Sequence, residues 1–109
     1  MSHYEHGDLA RFPEIGKDAP QLAEAFFAWY GKVFAPGALT VREKSLIALA
    51  VAHAVQCPYC IEAHTTGSLQ AGSNLEEMTE ALHVAAAIKG GSALVHGVQM
   101  RKQAGKVSM

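Results

Sequence analysis

Residues 46–55, LIALAVAHAV, are apolar nearly all round once helical, and only His53 interrupts the run. The alanines favour helix and permit close helix contact, and a helix without a polar face has to be enclosed by other elements. As a helix the run is about 15 Å long against a hydrocarbon core of about 30 Å, so it is too short to cross a membrane. It therefore belongs at the buried centre of a bundle. The same helix extends back to Val41, and the rest of the chain must supply its cover.

Helix starts are marked by the spacing of capping boxes: Asp18 with Gln21, Thr40 with Glu43, and Ser73 with Glu76. After the first come Leu22, Phe26, Tyr30 and Val33 on one stripe, with Phe27 and Phe34 beside it, the recurrence of an amphipathic helix. Pro58 pushes Cys57 away from helical angles and is itself welcome in a first helical turn, which predicts a break at Gln56-Cys57. Further helices are predicted from Pro58 to about Ala71, from Asn74 to about Lys89 and, after a break at Gly90-Gly91, from Ser92 to about Gln103. No period-two pattern is left for a strand. The expected fold is all-α, a compact single-domain helical bundle of about five to six helices over 1–109, with 1–17 a peripheral arm.

The chain has 109 residues, half of them hydrophobic, which suits one domain with a real core and no need of disulfide staples. Its net charge of -1 is scattered along the sequence, so neither nucleic acid nor an anionic membrane surface is expected as a partner. The start, MSHYEHGDLARFPE, lacks the basic region and apolar stretch of a secretory signal, and a cytoplasmic location is expected. In a reducing cytosol a close cysteine pair is more often redox-active or metal-binding than structural.

That pair is Cys57-Pro58-Tyr59-Cys60. Its ring is too short to stabilise the fold much by loop closure, so a readily made and broken disulfide is the better reading. Cys57 stands at the predicted helix start, where unpaired N–H groups and the helix dipole favour a thiolate. His64 follows Cys60 by four residues, on the same helix face and able to exchange a proton with it, which makes Cys60 the better-supported nucleophile. The alternative is a metal site: His53, Cys57, Cys60 and His64 form a zinc-type set, although along one straight helix they span about 16 Å and only a sharp reversal at Pro58 could gather them. Phe26, Phe27, Trp29 and Tyr30 read as core or subunit interface, His83 and His96 as structural, and His3 and His6 as part of a mobile terminus.

Arg42-Glu43-Lys44, the run LIALAVAHAVQCPYCIEAH and the later LHVAAAIKGG resemble the alkylhydroperoxidase D-like, carboxymuconolactone decarboxylase-like family, from about Asp18 onward. The whole sequence is most similar to the branch described as arsenosugar biosynthesis-associated peroxidase-like. Members that decarboxylate a lactone lack the thiol pair, so the resemblance implies the peroxidase side. It implies Cys60 as the thiol that attacks peroxide, Cys57 as the resolving thiol and His64 as proton relay, with lipoyl-type dithiols as reductants and trimers or hexamers as the assembly. The family glutamate twelve residues before the first cysteine is replaced here by Ser45, with Glu43 two residues earlier, and Tyr59 stands where the peroxidase prototype has a histidine.

Two functions are therefore expected. One is a thiol peroxidase or disulfide reductase that takes a small hydroperoxide and an external dithiol and needs no bound cofactor; His53, Glu43 and Tyr59 are its candidate supporting residues. The other is a zinc- or arsenical-binding thiol module without turnover. A homo-oligomer is expected on physical grounds too, because so few flanking helices cannot cover this much apolar surface. If the chain reverses at Pro58, His64 should face the neighbourhood of Ala50 with His53 close, while Glu43 lies about 21 Å back along its helix and has an ordinary task in the Thr40 capping box.

Overall fold

The computed structural model describes Glu5 and residues 7–108; His3 and His6 lie outside the described residues. A 3-10 helix, Leu9–Lys17, precedes five α-helices: α1 (Pro20–Phe34), α2 (Val41–Ala54), α3 (Pro58–Gln70), α4 (Leu75–Val95) and α5 (Gly97–Ser108). No strand occurs among the described residues. The all-helical single-domain architecture expected from the sequence is the one the chain adopts.

The helix starts show which local signals prevail. At α2 the Thr40 amide donates to Glu43 Oε1 at 2.8 Å and the Glu43 amide donates to Thr40 Oγ1 at 3.1 Å, closing the predicted capping box. The box expected at Ser73 and Glu76 lies one residue later, at Asn74 and Glu77. The preceding turn is the cause. Gly72 adopts a φ of 98°, and the amides of Gly72 and Ser73 return to the Leu69 and Ser68 carbonyls, so the Ser73 backbone is committed to closing α3. Asp18 caps nothing at α1: Pro20 opens that helix, Ala19 is its N-cap, and Asp18 ends the 3-10 helix. Nor does Gly90-Gly91 break α4. Each glycine costs about 1 kcal/mol against alanine but removes no backbone hydrogen bond, and the helix runs on to Val95.

Helices α2 and α3 form an antiparallel hairpin whose tip carries the cysteines. The Gln56 and Cys57 amides donate to the His53 and Ala52 carbonyls with Gln56 at a φ of 57°, the same closing turn as at Gly72 but on a residue with a side chain. Helix α4 runs alongside α2 in the same direction: Arg42 pairs with Glu77 near their starts, and Lys89 Nζ donates to the Ala54 carbonyl at 3.0 Å near the end of α2. Between the helices lie Leu49, Ala52, Met78 and Ala85. The wholly buried Ser68 donates to the Ser45 carbonyl at 3.2 Å, which satisfies its hydroxyl inside the hairpin.

Lys44 holds α1 in place by donating to the Val33 and Ala35 carbonyls at 2.8 and 2.6 Å, a cation at a helix C-terminus. The N-terminal segment packs there as well, with Phe12 edge-on to Phe27 at a centroid distance of 5.1 Å. One expectation about α2 is corrected. Only Ser45, Leu49 and Ala52 are buried, whereas Ile47, Val51 and Val55 remain half exposed or more, because α3 and α4 cover one side of the helix and α1 meets it near its start.

Candidate active site

Cys57 is the N-cap of α3, in an extended conformation set by the closing turn before it and by Pro58 after it. Its sulfur accepts the Cys60 amide at 3.2 Å and is joined to the Cys60 sulfur, with the two Cα atoms 5.2 Å apart. The pair needs no backbone movement to close. Cys57 thus has the helix N-terminus, the environment that favours a thiolate there when the pair is reduced.

Cys60 and His64 lie one turn apart on α3, and both line a cavity of about 670 Å³ together with Cys57, Tyr30 and Tyr59. Its outer wall is the N-terminal segment, where Leu9, Phe12 and Ile15 mix with Asp8, Arg11 and Glu14. Tyr59, the residue between the thiols, donates its hydroxyl to Asp8 Oδ2 at 2.9 Å and so ties that segment to the cysteine loop. A second cavity, of about 430 Å³, reaches Cys60, His64 and Tyr30 from the other side and is walled by apolar residues of α1 and α2.

His64 is held by α1. Its ring stacks on Phe34 at 5.4 Å, and the Tyr30 hydroxyl oxygen lies 3.3 Å from Nε2, where it accepts the ring proton in the tautomer that leaves the Nδ1 lone pair free. Burial pushes the imidazole below its ordinary value of 6.5, so the ring is neutral near pH 7 and has a lone pair to offer.

The other candidate residues are engaged elsewhere. His53 donates from Nδ1 to the Leu49 carbonyl at 2.8 Å and lines neither cavity. Its hydrogen bond turns it back onto its own helix, so it does not join His64. Glu43 is the capping-box carboxylate at the far end of α2, and its hydrogen bonds to Thr40 hold it below the usual carboxylate range. Ser45 donates to the Val41 carbonyl at 2.9 Å, as a helical serine does when its hydroxyl has nowhere else to go. Among the described residues no three His, Cys, Asp or Glu side chains come together as a metal site, so the set of His53, Cys57, Cys60 and His64 is not gathered by the turn at Pro58.

The sequence profile of the carboxymuconolactone decarboxylase family matches residues 20–102. The chain belongs to the carboxymuconolactone decarboxylase family. Among its relatives is a protein of Paracoccus denitrificans described as uncharacterized protein 4 in cox locus, 44% identical over 87 residues that cover 80% of this chain and 78% of that one. A crystal structure of a Methanobacterium thermoautotrophicum protein superposes with a TM-score of 0.74 at 38% identity, covering 77% of this chain and 94% of the other. An apo carboxymuconolactone decarboxylase family protein from Legionella pneumophila gives 0.68 at 31% identity, with coverage of 82% and 80%. The family match takes in all of α1 to α4, and hence the cysteine pair, His64 and Tyr30, while most of the N-terminal wall of the larger cavity lies ahead of it.

Two residues of this family member's site were not singled out as functional from the sequence. Tyr30 reads as one more aromatic on a helical stripe, and nothing local distinguishes a hydroxyl that meets an imidazole 34 residues away. Asp8 lies in a stretch with no periodicity, and only the fold brings it to Tyr59.

Proposed function

We propose that this carboxymuconolactone decarboxylase family member is a thiol peroxidase that reduces a small hydroperoxide with an external dithiol. The observation that carries the reading is the convergence of both sulfurs, a neutral imidazole and a hydroxyl on one cavity. In the first step the Cys60 thiol gives its proton to His64 and the thiolate attacks the distal peroxide oxygen. The O–O bond breaks, Cys60 becomes a sulfenic acid, and the alkoxide leaves as alcohol with the proton from His64. Cys57 thiolate then attacks the Cys60 sulfur, and hydroxide departs as water with a further proton, leaving the Cys57-Cys60 disulfide. A dithiol of the lipoyl class restores both thiols and is itself oxidised to a cyclic disulfide.

The contact between Cys57 and Cys60 supports the second step, since resolution needs no rearrangement. The apolar lining from Leu9, Phe12 and Ile15 favours a neutral alkyl hydroperoxide over an anionic one, with Asp8 and Glu14 among its neighbours. Tyr30 orients His64 and takes the place of an acidic relay partner, for which neither Ser45 nor Glu43 is available. The chemistry suits a reducing compartment such as the cytoplasm, where the dithiol pool is maintained. No described helix is long and apolar enough to cross a membrane.

The test is peroxide-dependent oxidation of a dihydrolipoyl compound by the wild-type protein and by Cys60→Ser. Turnover in the first and none in the second is expected. A wild-type protein whose two thiols stay free under mild peroxide overturns the proposal.

A further inference from the structure

The outer wall of the larger cavity is an element that little holds from within. Leu9–Lys17 is a nine-residue 3-10 helix with Pro13 inside it and no buried residue. Runs of this helix longer than three or four residues are uncommon, because its hydrogen bonds are poorly aligned, so a segment about 18 Å long depends on what fastens it from outside. Three anchors do so. At its far end Gly16 lies so close to α1 that a Cβ there would stand 3.0 Å from the Ala23 Cβ. In the middle the Phe12 ring meets Phe26 and Phe27 at centroid distances of 6.2 and 5.1 Å. At the leading end Asp8 Oδ2 accepts the Tyr59 hydroxyl at 2.9 Å and the Glu5 amide at 2.8 Å.

The last anchor differs from the others in what it reaches. Gly16 and Phe12 fasten the segment to α1, whereas Asp8 fastens it to the residue between the two thiols. A swing about the Gly16 end breaks this hydrogen bond and the Phe12 contacts, and it uncovers the cavity whose lining Phe12 and Ile15 share with Cys57 and Cys60. Cys60 is also reached through the smaller cavity, but of the two Cys57 lines only the larger. Access to Cys57 is therefore what the segment governs.

We propose that the hydrogen bond of Tyr59 to Asp8 latches Leu9–Lys17 as a strap over the cysteine pair, and that Tyr59, Asp8 and Phe12 thereby determine the size of molecule that reaches Cys57. A hydrogen bond to a carboxylate displaces an opening equilibrium by about tenfold or more, enough to separate small reagents that enter past the closed strap from bulky ones that wait for it to open. A small hydroperoxide belongs to the first class, and a dithiol on a bulky carrier belongs to the second. The strap lies ahead of residues 20–102, the part of the chain that matches the family. The proposal concerns access to a thiol and does not require the peroxidase reading.

The experiment uses the full chain with Cys60→Ser, whose one remaining thiol is Cys57. The reduced protein is alkylated by iodoacetamide and, separately, by a pyrenyl maleimide, and the ratio of the bulky to the small rate is compared with that of the same chain unfolded in urea. A change in the thiolate fraction of Cys57 cancels in this ratio. The folded ratio is expected to lie at least about tenfold below the unfolded one, and Tyr59→Phe and Asp8→Ala should each raise it about fivefold to tenfold. The two together should raise it no further than either alone, because they remove the same bond. Asp8→Asn, which keeps an oxygen acceptor, should stay closer to the parent than Asp8→Ala. Trypsin separates an opened strap from a loosened fold: in Tyr59→Phe cutting after Arg11 should quicken, while Arg42 and Lys89 within their helices stay resistant. A folded ratio equal to the unfolded one, a ratio that neither Tyr59→Phe nor Asp8→Ala moves, or a rise accompanied by cutting at Arg42 and Lys89 overturns the proposal. Should Asp8→Ala fail to fold, Tyr59→Phe, which loses a single oxygen, decides alone.

Discussion

Tyr30 on α1 and His64 on α3 meet with the phenolic oxygen 3.3 Å from Nε2. Because Phe34 stacks on the same imidazole, α1 fixes the plane of the ring, and the Tyr30 hydroxyl gives Nε2 a hydrogen-bond partner beside it. Loss of the hydroxyl leaves the stacking intact. Tyr30→Phe should therefore fold normally and oxidise Cys60 several-fold to about tenfold more slowly, against a loss of about 10² or more for His64→Ala. Stopped-flow thiol oxidation compares the two, and a structural role for Tyr30 alone predicts an unchanged pH profile, whereas orientation of His64 predicts a displaced one.

The burial of His64 sets a pH dependence whose sign is fixed. Its folded value lies below 6.5, so between that value and 6.5 the unfolded chain binds more protons than the folded one. This group leaves stability unaffected well above 6.5 and lowers it as pH falls through the window beneath. Urea midpoints taken from pH 8 down to about 5 should decline on the acid side, and His64→Gln should remove that part of the decline. The rate of Cys60 oxidation should lose its His64-dependent component in the same window, since a protonated imidazole accepts no proton.

Cys57 and Cys60 stand in unequal surroundings: Cys57 has the start of α3, and Cys60 has His64 one turn on. Cys57→Ser should still react once with peroxide and accumulate a sulfenic acid on Cys60, detectable by dimedone labelling and mass spectrometry. Labelling at Cys57 in Cys60→Ser, with none at Cys60 in Cys57→Ser, would reverse the two roles.

What the sequence makes legible here is mostly local. The Thr40 and Glu43 box, the proline that opens α3 and the spacing of Cys57, Cys60 and His64 each depend on residues within a turn or so of one another, and each places a feature correctly. The missed features depend on competition or distance. Ser73 loses its capping role because Gly72 draws its backbone into the end of α3. Gly90 and Gly91 fail to break α4 because nothing nearby offers that backbone a better alternative than helix. His53 has the spacing of a partner for His64, yet the nearby Leu49 carbonyl holds it. Tyr30 and Asp8 reach the site only through the fold, and no periodicity announces them.

The tip of the hairpin carries a strained residue. Gln56 has a φ of 57°, in a closing turn where glycine is the usual occupant and where the equivalent turn after α3 has Gly72. A side chain in this conformation costs about 1–2 kcal/mol, partly offset on substitution by the greater freedom of glycine in the unfolded chain. Gln56→Gly is expected to raise stability by about 0.5–1 kcal/mol in thermal or urea melts, and Gly72→Ala to lower it by a similar amount. An unchanged or lower stability for Gln56→Gly would mean that its side chain makes a compensating contact.

Glu43 is the acid nearest in sequence to the place where the family has its glutamate, and its carboxylate is spent on the Thr40 amide at 2.8 Å. It lines neither cavity, and the hydrogen bonds that lower its proton affinity come from Thr40 alone. Glutamine keeps an oxygen acceptor at the same reach, so Glu43→Gln should retain most of the thiol oxidation rate and lose little stability, while Thr40→Ala should cost about 1 kcal/mol with the same small effect on rate. The two variants are compared by urea melts and by peroxide-dependent thiol loss at neutral pH. Parallel small losses of stability with near wild-type rates mark Glu43 as a cap. A folded Glu43→Gln protein as slow as the His64 variant would place that carboxylate in the proton path, reached from a neighbouring subunit, since within its own chain it is bound at the start of α2.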